Sequence, residues 1–413
     1  MARPAGIASG IPLGETRLSK WHPYPAMVPD ELAVKIVNKY VMTNDKVLDP
    51  FCGSGRLLMA SAAVGANCVG YDVNPLALLL TRAKSARICP ARIKAIRDLA
   101  LVESLCAASA SPITLRTPVK VQWFSHEAAV ELAQIVRWIN GANFSLEERL
   151  VLAVALSGAT RDAAWIRKSG WKLHRMSEAD RDEKKVSAWS KFIRRLDHYV
   201  SNHQKIPMAG TVSIIRDDIR YVDTNLHEKF DHILTSPPYG DSKTTVQYGA
   251  ASGICLDVIS RILGLEDFAI NGNSIDRACL GGYSSCEFPL EISLKPYWAG
   301  SPDGPHIGRV RQFLEDFDRS CAAISSLIKS GGTVTLIVAR RTVGGFRLKL
   351  DDFSVDRLSM RGLNLLCISK RQLQNKRLPN YINRFAASSS IDMKSKGHTK
   401  TMDEEIVITM KMK

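Results

Sequence analysis

Residues 46–72 follow a pattern that few folds can use. Lys46-Val47-Leu48-Asp49 is a short apolar run ending in an acid, and Pro50-Phe51-Cys52-Gly53-Ser54-Gly55 is a glycine-containing loop. A helical stretch then runs through Ala63, and a second apolar run, Cys68-Val69-Gly70-Tyr71-Asp72, again ends in an acid. Strand, glycine turn, helix and strand at this spacing make a βαβ unit, whose crossover joins parallel strands of one sheet. An α/β fold around a parallel sheet is therefore expected, with the glycine turn at its ligand-binding edge.

Gly53 and Gly55 let the backbone approach a ligand and take φ values denied to other residues. Asp72, at the tip of the second strand, is placed to accept hydrogen bonds from a ribose diol. Leu58 stands where a dinucleotide fingerprint has its third glycine, and no Lys-Ser/Thr pair follows to make a phosphate loop. A pyrophosphate ligand is disfavoured. The competing interpretation of Asp49 and Asp72 is that of ordinary strand-end acids.

Strand patterning returns at 211–216, 230–235, 333–338, 363–369 and 405–410, which brings the total to seven. Between about 85 and 205 the pattern is helical instead. One helix spans 126–139 and another starts at Ser145, which has the capping-box spacing to Glu148. Three segments follow: 1–84, an N-terminal arm and the first part of the sheet domain; 85–205, a helical insertion; and 206–413, the remainder of that domain. The arm contains Trp21-His22-Pro23-Tyr24-Pro25 and a helix from about Pro29 to Tyr40, with Asp30 and Glu31 in the first turn where the helix dipole favours them. No internal repeat occurs, and the one low-complexity patch is Ala386 to Ser390.

Of 413 residues, 45% are hydrophobic, enough for a large core, while 56 Lys and Arg against 41 acids give a charge of +15. That excess suits a polyanionic partner. Two basic segments stand out. Arg161, Arg167, Lys168, Lys172, Arg175, Lys184, Lys185, Lys191, Arg194 and Arg195 are interleaved with Trp165, Trp171 and Trp189, and Arg340 to Arg384 is the second. The first is favoured for target recognition, with the Gly/Ser/Pro-rich stretch 249–305 as its rival. The nine cysteines are scattered, with no Cys-x-x-Cys pair, so neither a zinc site nor a disulfide framework is indicated. No signal peptide or bilayer-length apolar run occurs, and a cytoplasmic protein is expected.

The strand-like run Phe230-Asp231-His232-Ile233-Leu234 leads into Thr235-Ser236-Pro237-Pro238-Tyr239-Gly240-Asp241-Ser242. The two prolines fix φ and donate no hydrogen bond, so the carbonyls of Ser236 and Pro237 are held as acceptors. Tyr239 offers a flat face on which a base can stack. A proline-stiffened turn is the plain alternative. With the loop of residues 49–55, this octet resembles the DNA amino-methyltransferases, and the resemblance covers residues 20–84 and 206–413. It implies the seven-stranded, Rossmann-like methyltransferase fold with S-adenosylmethionine as cofactor. It further implies that Asp49, Phe51, Gly53 and Gly55 line the donor, that Asp72 takes its hydroxyls and that Val73 packs on adenine. Asp218, in Asp217-Asp218-Ile219-Arg220, is similar to the acid that meets the adenine amino group. Tyr24 lies in what resembles the motif closing over the methionine end.

By the same resemblance Ser236, Pro237, Pro238 and Tyr239 form the catalytic loop. Ser at its first position is similar to the cytosine-N(4) class, whereas adenine enzymes mostly carry Asp or Asn. The continuation 240–246, Arg340-Arg341-Thr342-Val343 and Asn375-Lys376-Arg377-Leu378-Pro379 resemble a restriction-modification branch. This implies double-stranded DNA as substrate and a cognate restriction endonuclease as partner, with no metal. The base must leave the duplex to react, and Tyr239 would stack on it. Asp241 is either a loop-orienting group or a turn residue. A cysteine nucleophile, as in methylation at carbon 5, finds no Pro-Cys dipeptide here, and Cys52 lies in the cofactor loop. The alternatives are an adenine 6-amino or RNA base methyltransferase, and a catalytically inactive nucleic-acid-binding protein on this fold. Related RNA guanine enzymes usually carry Asp at the Ser236 position together with an RNA-binding module.

Overall fold

The computed structural model describes residues 21–108, 123–167, 174–182, 184, 186–203, 208–226, 228–241, 246–268, 270, 272–282, 293–300, 306–344, 346–372, 381–383, 398–400 and 404–413. Lys168, Trp171, Lys172 and Lys185 of the first basic segment fall outside them. So do residues 242–245 of the catalytic-loop continuation, the Asn375 to Pro379 motif and the Ala386 to Ser390 patch.

The seven expected strands are present: β1 (Lys46–Asp49), β2 (Asn67–Tyr71), β3 (Thr211–Ile215), β4 (Phe230–Thr235), β5 (Ile328–Val338), β8 (Leu363–Gln372) and β11 (Glu404–Met412). Short antiparallel pairs are added by β6 (Arg341–Val343) with β7 (Phe346–Leu348), and by β9 (Tyr381–Asn383) with β10 (His398–Lys400). The sheet order is β3-β2-β1-β4-β5-β11-β8. β11 enters antiparallel between β5 and β8, whereas β1, β4 and β5 run parallel. This is the α/β, Rossmann-like architecture of the methyltransferase fold. Val47, Leu48, Ile233 and Leu234 are all fully buried, the continuous apolar run required of strands covered on both faces.

Twelve helices occur among the described residues. They are α1 (Asp30–Tyr40), α2 (Arg56–Ala63), α3 (Pro75–Ser85), α4 (Pro90–Ala108), α5 (His126–Gly141), α6 (Leu146–Ala163), α7 (Glu178–Asp182), α8 (Ala188–His203), α9 (Tyr248–Ile259), α10 (Gly272–Ala278), α11 (Ile307–Leu327) and α12 (Leu350–Ser359). None of the described helices is long and apolar enough to cross a membrane.

The chain divides into two compact units. The first comprises Met1–Asp45, Cys52–Arg216 and Val246–Asp276. In it β2 pairs with β3, and α4 to α8 occupy the region between residues 90 and 203. α6 begins at Ser145 with both hydrogen bonds of its capping box, and the capping Glu148 is also held by Arg92 at 2.6 Å. Trp189 of α8 is buried and packs edge-on against Trp138 and Phe192, so it belongs to the core of these helices. Half-buried Trp165 has the Arg181 guanidinium 5.5 Å from its ring centroid. α9 and α10 occupy part of the Gly/Ser/Pro-rich stretch 249–305. Gly249 serves packing: a Cβ there would stand 1.8 Å from the Gly272 carbonyl oxygen.

The second unit comprises Lys46–Phe51, Asp217–Thr245 and Arg277–Lys413. Within it β5 starts at Ile328, five residues before the expected 333, because Gly331-Gly332 is absorbed as an irregularity in its register with β4. Along α11, Val310, Phe313, Leu314, Phe317, Cys321, Ile324 and Leu327 recur at helical spacing and are buried.

Candidate active site

The first unit holds five of the expected cofactor residues. The chain leaves Cys52 with its N–H on the Tyr71 carbonyl at 2.9 Å, which ties the loop to the end of β2. Gly53 and Gly55 then adopt φ of +50° and +76°, the left-handed region in which glycine pays no Cβ penalty. At Gly55 space excludes a side chain as well, since a Cβ would lie 2.4 Å from Thr81 Cγ2. At Gly53 the nearest obstacle is Tyr24 Cε1 at 3.6 Å.

Asp72 follows β2 and is half-buried. Its Oδ2 accepts from Gly53 N–H and its Oδ1 from Asn74 N–H, each at 2.8 Å. The carboxylate thereby locks the glycine loop to the strand tip. Val73 beside it is half-buried. Tyr24 is 5% exposed, and its hydroxyl accepts from Asn74 Nδ2 at 3.0 Å. Tyr24, Gly53 and Asp72 are thus gathered around Asn74, which nothing in the sequence singled out. Asn74 does cap α3, accepting from Leu76 N–H at 3.1 Å, while its amide also donates to Ser252 at 3.0 Å.

Lys84 went unnoticed in the sequence. It is 5% exposed in the last turn of α3 and donates to the Ser54 carbonyl under the glycine loop. Burial, followed by repulsion from Arg56, lowers its pKa to about 7 against the opposing pull of Asp30 and Cys52. His22 is also buried, with Nε2 2.7 Å from Ser157 Oγ, and burial together with Arg195 and Arg161 holds its pKa well below the usual imidazole range.

The second unit holds the other expected residues. Asp49 closes β1 and is 2% exposed; its Oδ1 accepts from Phe51 N–H at 3.2 Å and from Thr235 Oγ1 at 2.6 Å. The hydroxyl of Thr235, fully buried, fastens the end of β4 to the end of β1 immediately before the Ser-Pro-Pro-Tyr loop. Phe51 is half-buried. Asp218 caps a short 3-10 turn at Ile219–Tyr221 and forms a bidentate pair with Arg220, whose Nη1 reaches the buried Asp316 at 2.7 Å. Its carboxylate thus has a structural engagement that the sequence did not reveal.

In the loop, Ser236 and Tyr239 are half-buried and Pro237 is buried. Ser236 Oγ lies 3.2 Å from Tyr239 Oη, and Tyr239 Oη donates to Glu405 Oε1 at 3.3 Å. Glu405, on β11, is 7% exposed, and its pKa is raised by burial, against the lowering influence of Arg371 and of the Tyr239 hydrogen bond. Behind Tyr239, Arg341 fills the space at Gly240, where a Cβ would stand 1.7 Å from its Nη1, and Asp241 is buried 3.6 Å from the same nitrogen. Neither Glu405 nor Arg341 could be assigned to the loop from sequence spacing.

A family model for N6/N4 DNA methylases matches residues 11–81. The Type II methyltransferase M.MvaI of Kocuria varians is 26% identical over 432 aligned residues, which cover 95% of this chain and 90% of that protein. M.BsoBI of Geobacillus stearothermophilus, also a Type II methyltransferase, is 22% identical over 261 residues, or 54% of this chain and 49% of that one. A 49-residue stretch, 12% of this chain and 14% of the relative, is 43% identical to the Type II methyltransferase M.MthZI of Methanothermobacter thermautotrophicus.

Proposed function

We propose that this chain, a DNA methyltransferase of the amino-methylating, restriction-modification type, transfers a methyl group from S-adenosylmethionine to the exocyclic 4-amino group of cytosine in double-stranded DNA. The observation that carries this assignment is Ser236 at the head of a rigid Pro-Pro-Tyr loop directly after β4, with its Oγ 3.2 Å from Tyr239 Oη.

The donor fits the residues present. The left-handed Gly53, the Asp72 carboxylate pinned on two backbone N–H groups and the buried Tyr24 favour a ligand with a ribose diol and a compact polar tail. When bound, S-adenosylmethionine supplies a methyl group on a positively charged sulfur. Asp72 would accept from the ribose hydroxyls, and Val73 and Asp218 would flank the adenine. Asp49, Phe51, Gly53, Gly55 and Tyr24 would line the methionine end.

The chemistry assigned to the loop follows from the nucleophile. The lone pair of a cytosine amino group is delocalised into the ring, so the nitrogen is a poor nucleophile while it stays planar. Accepting its two N–H groups at the Ser236 hydroxyl and the Pro237 carbonyl favours a pyramidal nitrogen with its lone pair localised. Fixing the two reactants contributes up to about 7–11 kcal/mol for well-oriented groups. The Tyr239 ring stacks on the base after it leaves the duplex, a step that costs a few kcal/mol.

The test is to express the chain in a methylation-free host and sequence the host DNA by a single-molecule method that separates 4-methylcytosine, 6-methyladenine and 5-methylcytosine. The expected result is 4-methylcytosine at one short motif. A 6-methyladenine mark would overturn the choice of base while keeping the amino-methylating loop, and 5-methylcytosine would overturn the loop chemistry. Digestion of unmethylated and methylated plasmid by the gene neighbourhood's nuclease, where one occurs, tests the restriction partner.

A further inference from the structure

We infer that Glu405 is the terminal proton acceptor and positioning residue of a relay running from Ser236 through Tyr239. The inference rests on the proposed role of the Ser-Pro-Pro-Tyr loop and adds the destination of the proton that amine methylation must release.

Methylating an amino group forms a C–N bond and breaks a C–S bond, whose electron pair leaves on sulfur. The nitrogen becomes cationic and must lose one proton. Ser236 Oγ, accepting from the amine, is the first atom that can take it. The Ser236 hydroxyl can pass its own proton only to a neighbour that also has one to give, and Tyr239 Oη, 3.2 Å away, is such a group. Tyr239 in turn donates to Glu405 Oε1 at 3.3 Å. One proton enters at Ser236 and one arrives at the carboxylate, while both hydroxyls end as they began. The same hydrogen bonds orient the apparatus before reaction. With its proton turned toward Tyr239, Ser236 Oγ presents lone pairs to the amine, and the Tyr239 hydroxyl anchored on β11 fixes the plane of the ring.

The surroundings of Glu405 suit an acceptor. It is 7% exposed, and Oε2 has no hydrogen-bond donor among the described residues, its nearest cation being Arg371 Nε on the paired strand β8 at 3.9 Å. Adjacent Glu404 faces Arg347 at 3.9 Å. Burial raises the Glu405 pKa, which brings its proton affinity closer to that of a working acceptor at neutral pH. The acid must be ionised to act, so transfer should fail as pH falls through this pKa, which lies above the usual glutamate value.

Two measurements test the relay. Single-turnover transfer to cognate duplex, followed from pH 5 to 9, should show an acid limb in the wild-type protein. Glu405→Gln should be at least tenfold slower at neutral pH and lack that limb, with donor affinity within twofold. Tyr239→Phe, which keeps the ring, should behave alike, and Glu405→Asp should recover part of the rate and the limb. Independently of donor and DNA, the ¹³Cζ resonance of Tyr239, assigned by its loss in Tyr239→Phe, should titrate with Glu405 and become flat in Glu405→Gln. Wild-type transfer by Glu405→Gln, or a Tyr239 resonance unmoved by pH, overturns the relay. If Ser236→Ala also transfers at the wild-type rate, the loop assignment itself falls; if Ser236→Ala is inactive while Glu405→Gln is not, only the relay does.

Discussion

In the proposed reaction Asp72 and Ser236 serve different ends, so their substitutions should separate. Asp72 gathers the Gly53 and Asn74 N–H groups and would bear the donor hydroxyls, and a hydrogen bond to a charged group contributes about 1.5–3 kcal/mol. Asp72→Ala should therefore weaken donor binding by roughly 10- to 100-fold. Ser236→Ala and Tyr239→Ala should leave donor affinity within about twofold and lower the single-turnover rate by roughly 100-fold, the scale of a lost proton-transfer or positioning group. Equilibrium binding of donor, set beside single-turnover transfer, reads both quantities. Loss of donor binding in the two loop variants would show that these residues serve one site function and not two. At this level the sequence displayed each residue but not its partners. Asp72 shows as a strand-end acid because strand and turn patterns are local, whereas the Thr235 grip on Asp49 spans 186 positions and leaves no trace in either neighbourhood.

The α3 helix carries a polar group whose partner lies across the fold, and pH exposes it. Lys84 sits under the glycine loop with its pKa lowered to about 7, mainly by burial and then by Arg56. An unfolded lysine holds its proton to about pH 10.4, so over that interval the unfolded chain binds more protons than the folded one. Stability from this group is therefore complete above the unfolded value and is lost as pH falls toward 7. Relative to Lys84→Met, the wild-type protein should gain up to about 1.4 kcal/mol per pH unit between pH 7 and 10, measured by denaturant unfolding. A flat difference would mean that Lys84 stays charged beneath Ser54. α3 illustrates how far local signals reach. Its start, Asn74 before Pro75, follows capping chemistry, but that Asn74 also serves Tyr24 and Ser252 depends on segments 50 and 178 positions away.

If duplex DNA is the substrate, as proposed, the +15 charge of the chain implies that much of the affinity comes from phosphate contacts and counterion release. Binding to a non-cognate duplex should fall by at least about 100-fold between 50 and 200 mM salt, as expected for several phosphate contacts, and fluorescence anisotropy on a labelled duplex measures it. An affinity indifferent to salt would count against a phosphate-binding face. Some of the basic positions are committed to the fold: Arg195 pairs with Asp162 at 2.6 Å and donates to the Trp21 carbonyl, and Arg340 grips Asp351 at 2.8 Å. Formal charge therefore overstates the number of cations left for DNA.

By itself the sequence determined the seven strands, the glycine turn, the capped helices and the Ser-Pro-Pro-Tyr loop, because hydrophobic period, proline stiffness and capping act over a few residues. Tertiary structure alone decided that β11 enters the sheet antiparallel between β5 and β8 and brings Glu405 to Tyr239 across 166 positions. It likewise decided that Arg341 fills the space at Gly240 and that Arg220 joins Asp218 to the distant Asp316. Such pairs are set by strand register and by which side chains must share a dry interior, and neither constraint is written in the neighbourhood of a single residue.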